Sequence, residues 1–241
     1  MSVNQIVKGL GNRDIKIPHS ITQSAQGLSL VEKRLVMAAV AKAGRNFGDE
    51  IFITAAEYAA TFEMSANDAY EQLKSAAKNL RKRYFTLDEN TRRGVMKWEI
   101  NWMSKVGYED KLGRVGLRFG EDIRPYLENL KKKFTLYKLK QAGAIKSLYS
   151  WRLLELMEQQ SSGVINISVK DFCFAMEVPE AYKANFKDIR SKIIEPAIKE
   201  VSAKDDWTIK YTYTKLGRKV DKLSFTFKRD QGNTWKQPDL V

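Results

Sequence analysis

Two stretches of this chain repeat one pattern. Ile51 to Met64 reads IFITAAEYAATFEM, and Ile165 to Val178 reads INISVKDFCFAMEV; they align without a gap at an offset of 114. Ile51 and Ile53 match Ile165 and Ile167, Thr54 matches Ser168, Glu57 matches Asp171, Tyr58 matches Phe172, and Glu63 matches Glu177. An alternating Ile-x-Ile predicts a short strand. The Thr or Ser after it, with an acid three residues on, is the pattern of a capping box that opens a helix. A repeated supersecondary unit constrains a fold more than any composition value, because it dictates element order twice.

The flanks repeat as well. Ahead of each unit lies an amphipathic helix, SLVEKRLVMAAVAKAG from Ser29 and SLYSWRLLELMEQQ from Ser147, with Gly44 and Gly163 as stop signals. Behind each unit comes a third helix, from Ser65 in the first copy and over Asn185 to Val201 in the second. Aromatic and β-branched strands with a turn follow; in the second copy these are WTIKYTYT, KLGRK and LSFTF. Helix, short strand, helix, helix, hairpin is a winged helix-turn-helix plan. The expected class is therefore α+β, mainly α, with two tandem winged-helix domains. The last helix of each would enter a DNA major groove, and the hairpin wing would lie on the backbone or minor groove. The expected division is 1–132 and 133–241, with a flexible arm over about 1–20.

Charge points the same way. Forty-two Lys and Arg against 29 Asp and Glu leave +13, with an isoelectric point near 9.6, which suits a polyanionic partner. No apolar run approaches the ~20 residues of a membrane span, and the N-terminus lacks a signal-type core. A soluble cytoplasmic protein with no membrane partner is expected. The single cysteine, Cys173, rules out an internal disulfide framework; a zinc site from Cys173 and the single histidine, His19, would need carboxylates to complete it, and Ser-His-Asp or Cys-His chemistry would depend on His19 alone. No P-loop motif is present, and no cofactor or metal is expected.

Candidate DNA-binding residues fall on the two third helices and the basic turns. On the first helix Ala69, Leu73, Ala76 and Leu80 form the apolar stripe. Lys74, Ser75 and Lys78 lie off it, and Arg81 and Arg83 stand in the closing RKR. On the second, Phe186, Ile189, Ile193, Ala197 and Val201 form the stripe, and Asn185, Lys187, Ser191 and Lys192 lie on the other side. Arg190 falls at the stripe's edge, open to a core-rim or a groove reading. Pro196 sits inside this helix, where a kink or a restart is expected. Arg92 and Arg93 in TRRG, and Lys215, Arg218 and Lys219 in KLGRK, mark the wings; KLGR at 111–114 is a further candidate turn. Between the halves, Ile123, Tyr126, Leu127 and Leu130 suit an amphipathic helix closed by KKK at 131–133.

The blocks IIEPAIKEVSAKDDWTIKYTYTKLGRKVDKLSFTF, LSLVEKRLVMAAVAKA and RPYLENLKKKFTLYKLKQAGAIKSLYSWRLLELM resemble, in this order along the chain when read from the second block, the iteron-binding plasmid replication initiators. The resemblance runs from about Ile21 to Arg229. It implies a DNA-binding initiator that engages direct-repeat origin sites, promotes opening of AT-rich DNA and recruits host helicase and initiator proteins. It also implies a monomer–dimer equilibrium, repression at an inverted-repeat operator, chaperone partners and no catalytic activity. It places reading positions at Asn185, Arg190, Ser191 and Lys192, where Asn185 and Ser191 replace arginines of the F-plasmid-like pattern, which implies a different iteron. A winged-helix transcription regulator, or a strand-cleaving recombinase or nuclease drawing on the ten tyrosines and 29 acids, are the competing readings.

Overall fold

The computed structural model describes residues 8–128, 134–204 and 206–229. The chain opens with strand β1 (Asp14–Pro18) and the short helix α1 (His19–Thr22). Helix α2 (Leu30–Ala43), strand β2 (Ile51–Thr54), helix α3 (Ala55–Phe62) and helix α4 (Ala66–Leu80) follow. Next come strands β3 (Tyr84–Thr91), β4 (Gly94–Asn101) and β5 (Met103–Glu109), a 3-10 turn (Asp110–Leu112), strand β6 (Arg114–Phe119) and helix α5 (Arg124–Glu128). Then come strand β7 (Phe134–Lys138), helix α6 (Leu139–Gly143), helix α7 (Leu148–Glu158), strand β8 (Val164–Ser168), and helices α8 (Val169–Ala175) and α9 (Glu180–Lys183). Helix α10 (Phe186–Ile189), a π turn (Arg190–Ile194), helix α11 (Glu195–Lys204) and strands β9 (Trp207–Leu216) and β10 (Lys219–Arg229) complete the chain.

The repeat is real in three dimensions. Thr54 caps α3 in a full capping box with Glu57, and Ser168 caps α8 by accepting from the Asp171 amide. Each helix is followed by a glutamate in the left-handed region, Glu63 at φ 53° and Glu177 at φ 52°. Each half carries a three-stranded antiparallel sheet of the same order, β2-β6-β5 and β8-β10-β9. Stripe residues Ala69, Leu73, Leu80, Ile189, Ile193, Ala197 and Val201 are all buried. Complete burial of such Leu, Ile and Val side chains contributes about 1.5–3 kcal/mol each.

The expected flexible arm is corrected. Residues 14–20 are not a flexible arm: β1 pairs antiparallel with β7, and Ile15 and Ile17 are fully buried. A division at 132/133 would cut between these partner strands. α6 meets α2 and α3, and α7 packs on α11 as well as on β7 and α1. The helix expected through Leu130 is described only as Arg124–Glu128, and Leu130 and KKK at 131–133 lie outside the described residues. Gly44 does close α2, whereas α7 ends at Glu158, well before Gly163.

Pro196 neither breaks nor visibly restarts its helix. The Glu195 amide donates to the Arg190 carbonyl, five residues back, so a π turn widens the helix just ahead of the proline. The wider turn relieves the clash a proline ring makes with the carbonyl four residues before it.

A buried polar cluster joins α2 to α7 and, through Glu177 and the Ala175 carbonyl, to the end of α8. The Lys33 ammonium lies 2.8 Å from Glu155 Oε2, donates to Gln26 Oε1 at 2.6 Å, and sits 5.6 Å from the Trp151 ring. Tyr137 donates to the other Glu155 oxygen at 3.0 Å. Burial pushes Lys33 down to about 8, against the pull of Glu155. Glu177 accepts the Gln26 and Gly27 amides at 2.8 and 2.9 Å, and Arg152 Nε donates to the Ala175 carbonyl at 2.8 Å. No helix among the described residues is long and apolar enough to cross a membrane.

Candidate nucleic-acid interface

The first candidate surface is the outer face of α4. Ser65 accepts from the Asp68 amide and starts the helix, and the buried stripe turns Ser75, Lys78, Asn79 and Arg81 outward. Lys74 is not free on this face: its ammonium lies 3.0 Å from Asp110 and 5.3 Å from the Tyr108 ring, over which Lys78 also sits at 5.8 Å. Tyr70 donates to Asp110 as well. These bonds hold the Asp110 carboxyl below its usual range, Tyr70 contributing most. Arg83 pairs with buried Glu32 at 3.0 Å, and Glu32 itself accepts the Ser29 amide at the start of α2.

The second surface is built on α10 and the π turn. Asn185 caps α10 through its side-chain oxygen, 2.9 Å from the Lys187 amide. Lys187, Ser191 and Lys192 are exposed. Lys192 lies 3.0 Å from Asp188, one turn back, and 4.4 Å from the Tyr182 ring; the Asp188 bond raises its affinity for a proton. Arg190 is half-buried, its Nε 3.4 Å from Glu195 Oε1. The π turn puts these two residues, five apart, on one side. Arg190 thus sits at the helix rim with a partner of its own.

The wings require a reassignment. Strand order makes β5–β6 the counterpart of β9–β10, so the wing of the first half turns at 110–113, not at Thr91–Gly94. Arg92 and Arg93 sit at the tip of an additional two-stranded hairpin, β3–β4. A signal for this was present: KLGR occurs at 111–114 and again at 215–218. Its glycine has positive φ in both places, 53° at Gly113 and 62° at Gly217, as such turns demand. Lys111, Lys215, Arg218 and Lys219 are exposed on these turns. Arg114 is instead occupied by Glu109 at 2.8 Å and stacked 4.6 Å from the Phe52 ring. Phe186 of α10 packs 5.2 Å from Tyr213 of β9, fixing the second wing against its helix. Sequence reasoning missed Asp110, Tyr108 and Tyr182, which contact Lys74, Lys78 and Lys192.

Two units, each a helix pair with an exposed basic third helix backed by a three-stranded sheet and a hairpin wing, define a tandem winged-helix protein. Two family models match: "Initiator Replication protein, WH1" over residues 14–158 and "Initiator Rep protein, WH2" over 168–227. The chain belongs to this family of replication initiators. It is 24% identical over 225 residues to an uncharacterized 27.6 kDa protein of Escherichia coli, covering 86% of this chain and 93% of that one. Its fold is similar to that of the Pi initiator protein solved in complex with iteron DNA, with a TM-score of 0.77, 23% identity, and coverage of 92% of this chain and 99% of the other. Domains 2 and 3 of RctB give a TM-score of 0.52 at 8% identity, over 83% of this chain and 81% of theirs.

Proposed function

We propose that this chain is a sequence-specific double-stranded DNA-binding initiator of plasmid replication. It binds direct-repeat origin iterons with one winged-helix module in each of two major grooves. It promotes opening of adjacent AT-rich DNA and recruits host helicase and initiator proteins. As a dimer it represses its own gene at an inverted repeat, and chaperones shift it towards monomer. It needs no cofactor and catalyses no reaction.

The observation that carries the reading is the pairing, within one chain, of two recognition-helix faces with two basic wings. The exposed set is Ser75, Lys78 and Arg81 with Lys111 in the first half, and Lys187, Ser191 and Lys192 with Lys215, Arg218 and Lys219 in the second. Helix residues of this kind reach base edges, while wing cations hold phosphate and set the register. Family membership and the iteron complex of the similarly folded Pi initiator support it.

DNase footprinting on the chain's own upstream region tests the proposal. Protected direct repeats about two helical turns apart are expected, together with loss of plasmid replication when the gene is deleted and recovery when it is supplied. A lone protected palindrome with replication intact would leave only a transcription regulator. Nicking of supercoiled DNA in Mg²⁺ or Mn²⁺ would favour a strand-cleaving enzyme.

A further inference from the structure

The second wing carries a leucine that the fold does not use. Leu216 stands 75% exposed at the end of β9, the most exposed large hydrophobic side chain among the described residues. β8 pairs with β10 only from Lys222 to Thr226, whereas β9 and β10 stay paired as far as Leu216 and Lys219. The tip is therefore a two-stranded arm projecting past the edge of its sheet. The register shifts between Val220 and Lys222, where the arm leaves the sheet, and a bulge at such a place bends a strand and re-aims its end.

Charge says what the arm fits. From Trp207 to Val220 the chain carries Lys210, Lys215, Arg218 and Lys219 and no acid. An apolar side chain at a narrow tip, ringed by cations, suits a polyanion with an apolar interior accessible through a narrow opening. Duplex DNA offers this between base steps in its minor groove, where leucine wedges in other proteins unstack a step and kink the helix by about 20–90°. A phosphate contact alone has no use for the leucine.

We propose that Leu216 is a wedge that enters the DNA minor groove beside the second module and unstacks one base step, bending the bound duplex. The inference rests on the DNA-binding reading above and deepens it. The lysines and arginine around the tip hold the flanking phosphates, and the bulge directs the tip. Leu112, the same residue of the first KLGR, is not its equal. The first wing ends at the edge of its sheet, since β2 stays paired to Arg114, and its tip is flanked by Glu109 and Asp110, which phosphate repels.

The footprinted duplex provides the test, labelled at both ends for energy transfer and carrying 2-aminopurine at successive steps. Wild-type protein is expected to shorten the end-to-end distance and brighten 2-aminopurine at one step. Leu216→Ala should bind with the same salt dependence, yet bend less and leave the probe quenched. Leu112→Ala should bend as wild type does. Lys219→Ala should lower the salt slope by about 0.9 without abolishing the bright step. Undiminished bending by Leu216→Ala, or a straight wild-type complex, overturns the wedge. So does a change in sedimentation of free Leu216→Ala protein with bending kept, which would make Leu216 a protein contact. Absence of any wild-type footprint would strike the DNA-binding reading itself.

Discussion

The two KLGR turns are the same four residues in two mechanical settings. At the first, the Gly113 carbonyl accepts the Ala55 amide at 2.8 Å, and Asp110 is bound to Lys74 and Tyr70 of α4. The turn is tied to both helices beside it. At the second, the arm runs clear of its sheet and touches its recognition helix further back, through Tyr213 and Phe186. The helices differ in the reverse sense. α4 is regular for 15 residues, whereas its counterpart passes through a π turn before Pro196. One module thus fixes its wing to a regular helix, and the other frees its wing and adjusts its helix. Shared element order dictates topology; local pairing decides which surface is rigid.

The most severe disturbance is to the buried pair between α2 and α7. Lys33→Ala leaves Glu155 buried without its cation and should cost about 3–5 kcal/mol in urea unfolding, while Lys33→Met with Glu155→Leu should recover most of it. The same lysine gives wild-type stability a pH signature. Because its folded value of about 8 lies below the ordinary 10.5, the unfolded chain binds more protons between them, so this group adds stability as pH rises from about 8 towards 10. Lys33→Met should flatten that rise in melts at graded pH.

Base reading comes next. Lys192→Ala should lower affinity for the footprinted site by ~1–3 kcal/mol and relax preference at one base pair; equal losses on random DNA would reduce Lys192 to a phosphate contact. The paired left-handed glutamates should then respond with opposite sign. Glu177→Gly removes the acceptor of two backbone amides and should destabilise by about 1–3 kcal/mol. Glu63→Gly only relieves an unfavourable backbone region and should stabilise by about 1 kcal/mol or less in the same thermal assay. Smallest is the wing effect. Lys219→Ala should reduce the slope of log affinity against log salt by about 0.9, and Lys111→Ala by less, because the neighbouring Glu109 and Asp110 repel phosphate from that turn.

What could be read from sequence was local. The Thr54–Glu57 capping box, the stripes of α4 and of Phe186 to Val201, and the order of elements all rest on neighbours within a few residues. What escaped depends on distant partners. TRRG and KLGR look alike as basic turns, and only strand pairing shows which one closes the sheet. The pairing of Arg83 with Glu32, from the start of α2, is likewise a contact that no local pattern shows. That the helix meets Pro196 with a π turn is not revealed by periodicity within the helix.

The pairing of β1 with β7 has a consequence for the order in which the protein comes into being. Asp14 meets Lys138 and Pro18 meets Phe134, so during synthesis β1 waits for a partner strand far along the chain. Until then Ile15 and Ile17 have no strand beside them, and α2 lacks part of its cover. Contacts of such long sequence separation form late and slowly. During synthesis the nascent first module therefore carries an open apolar edge, the kind of surface on which holding chaperones act and premature termination leads to aggregation.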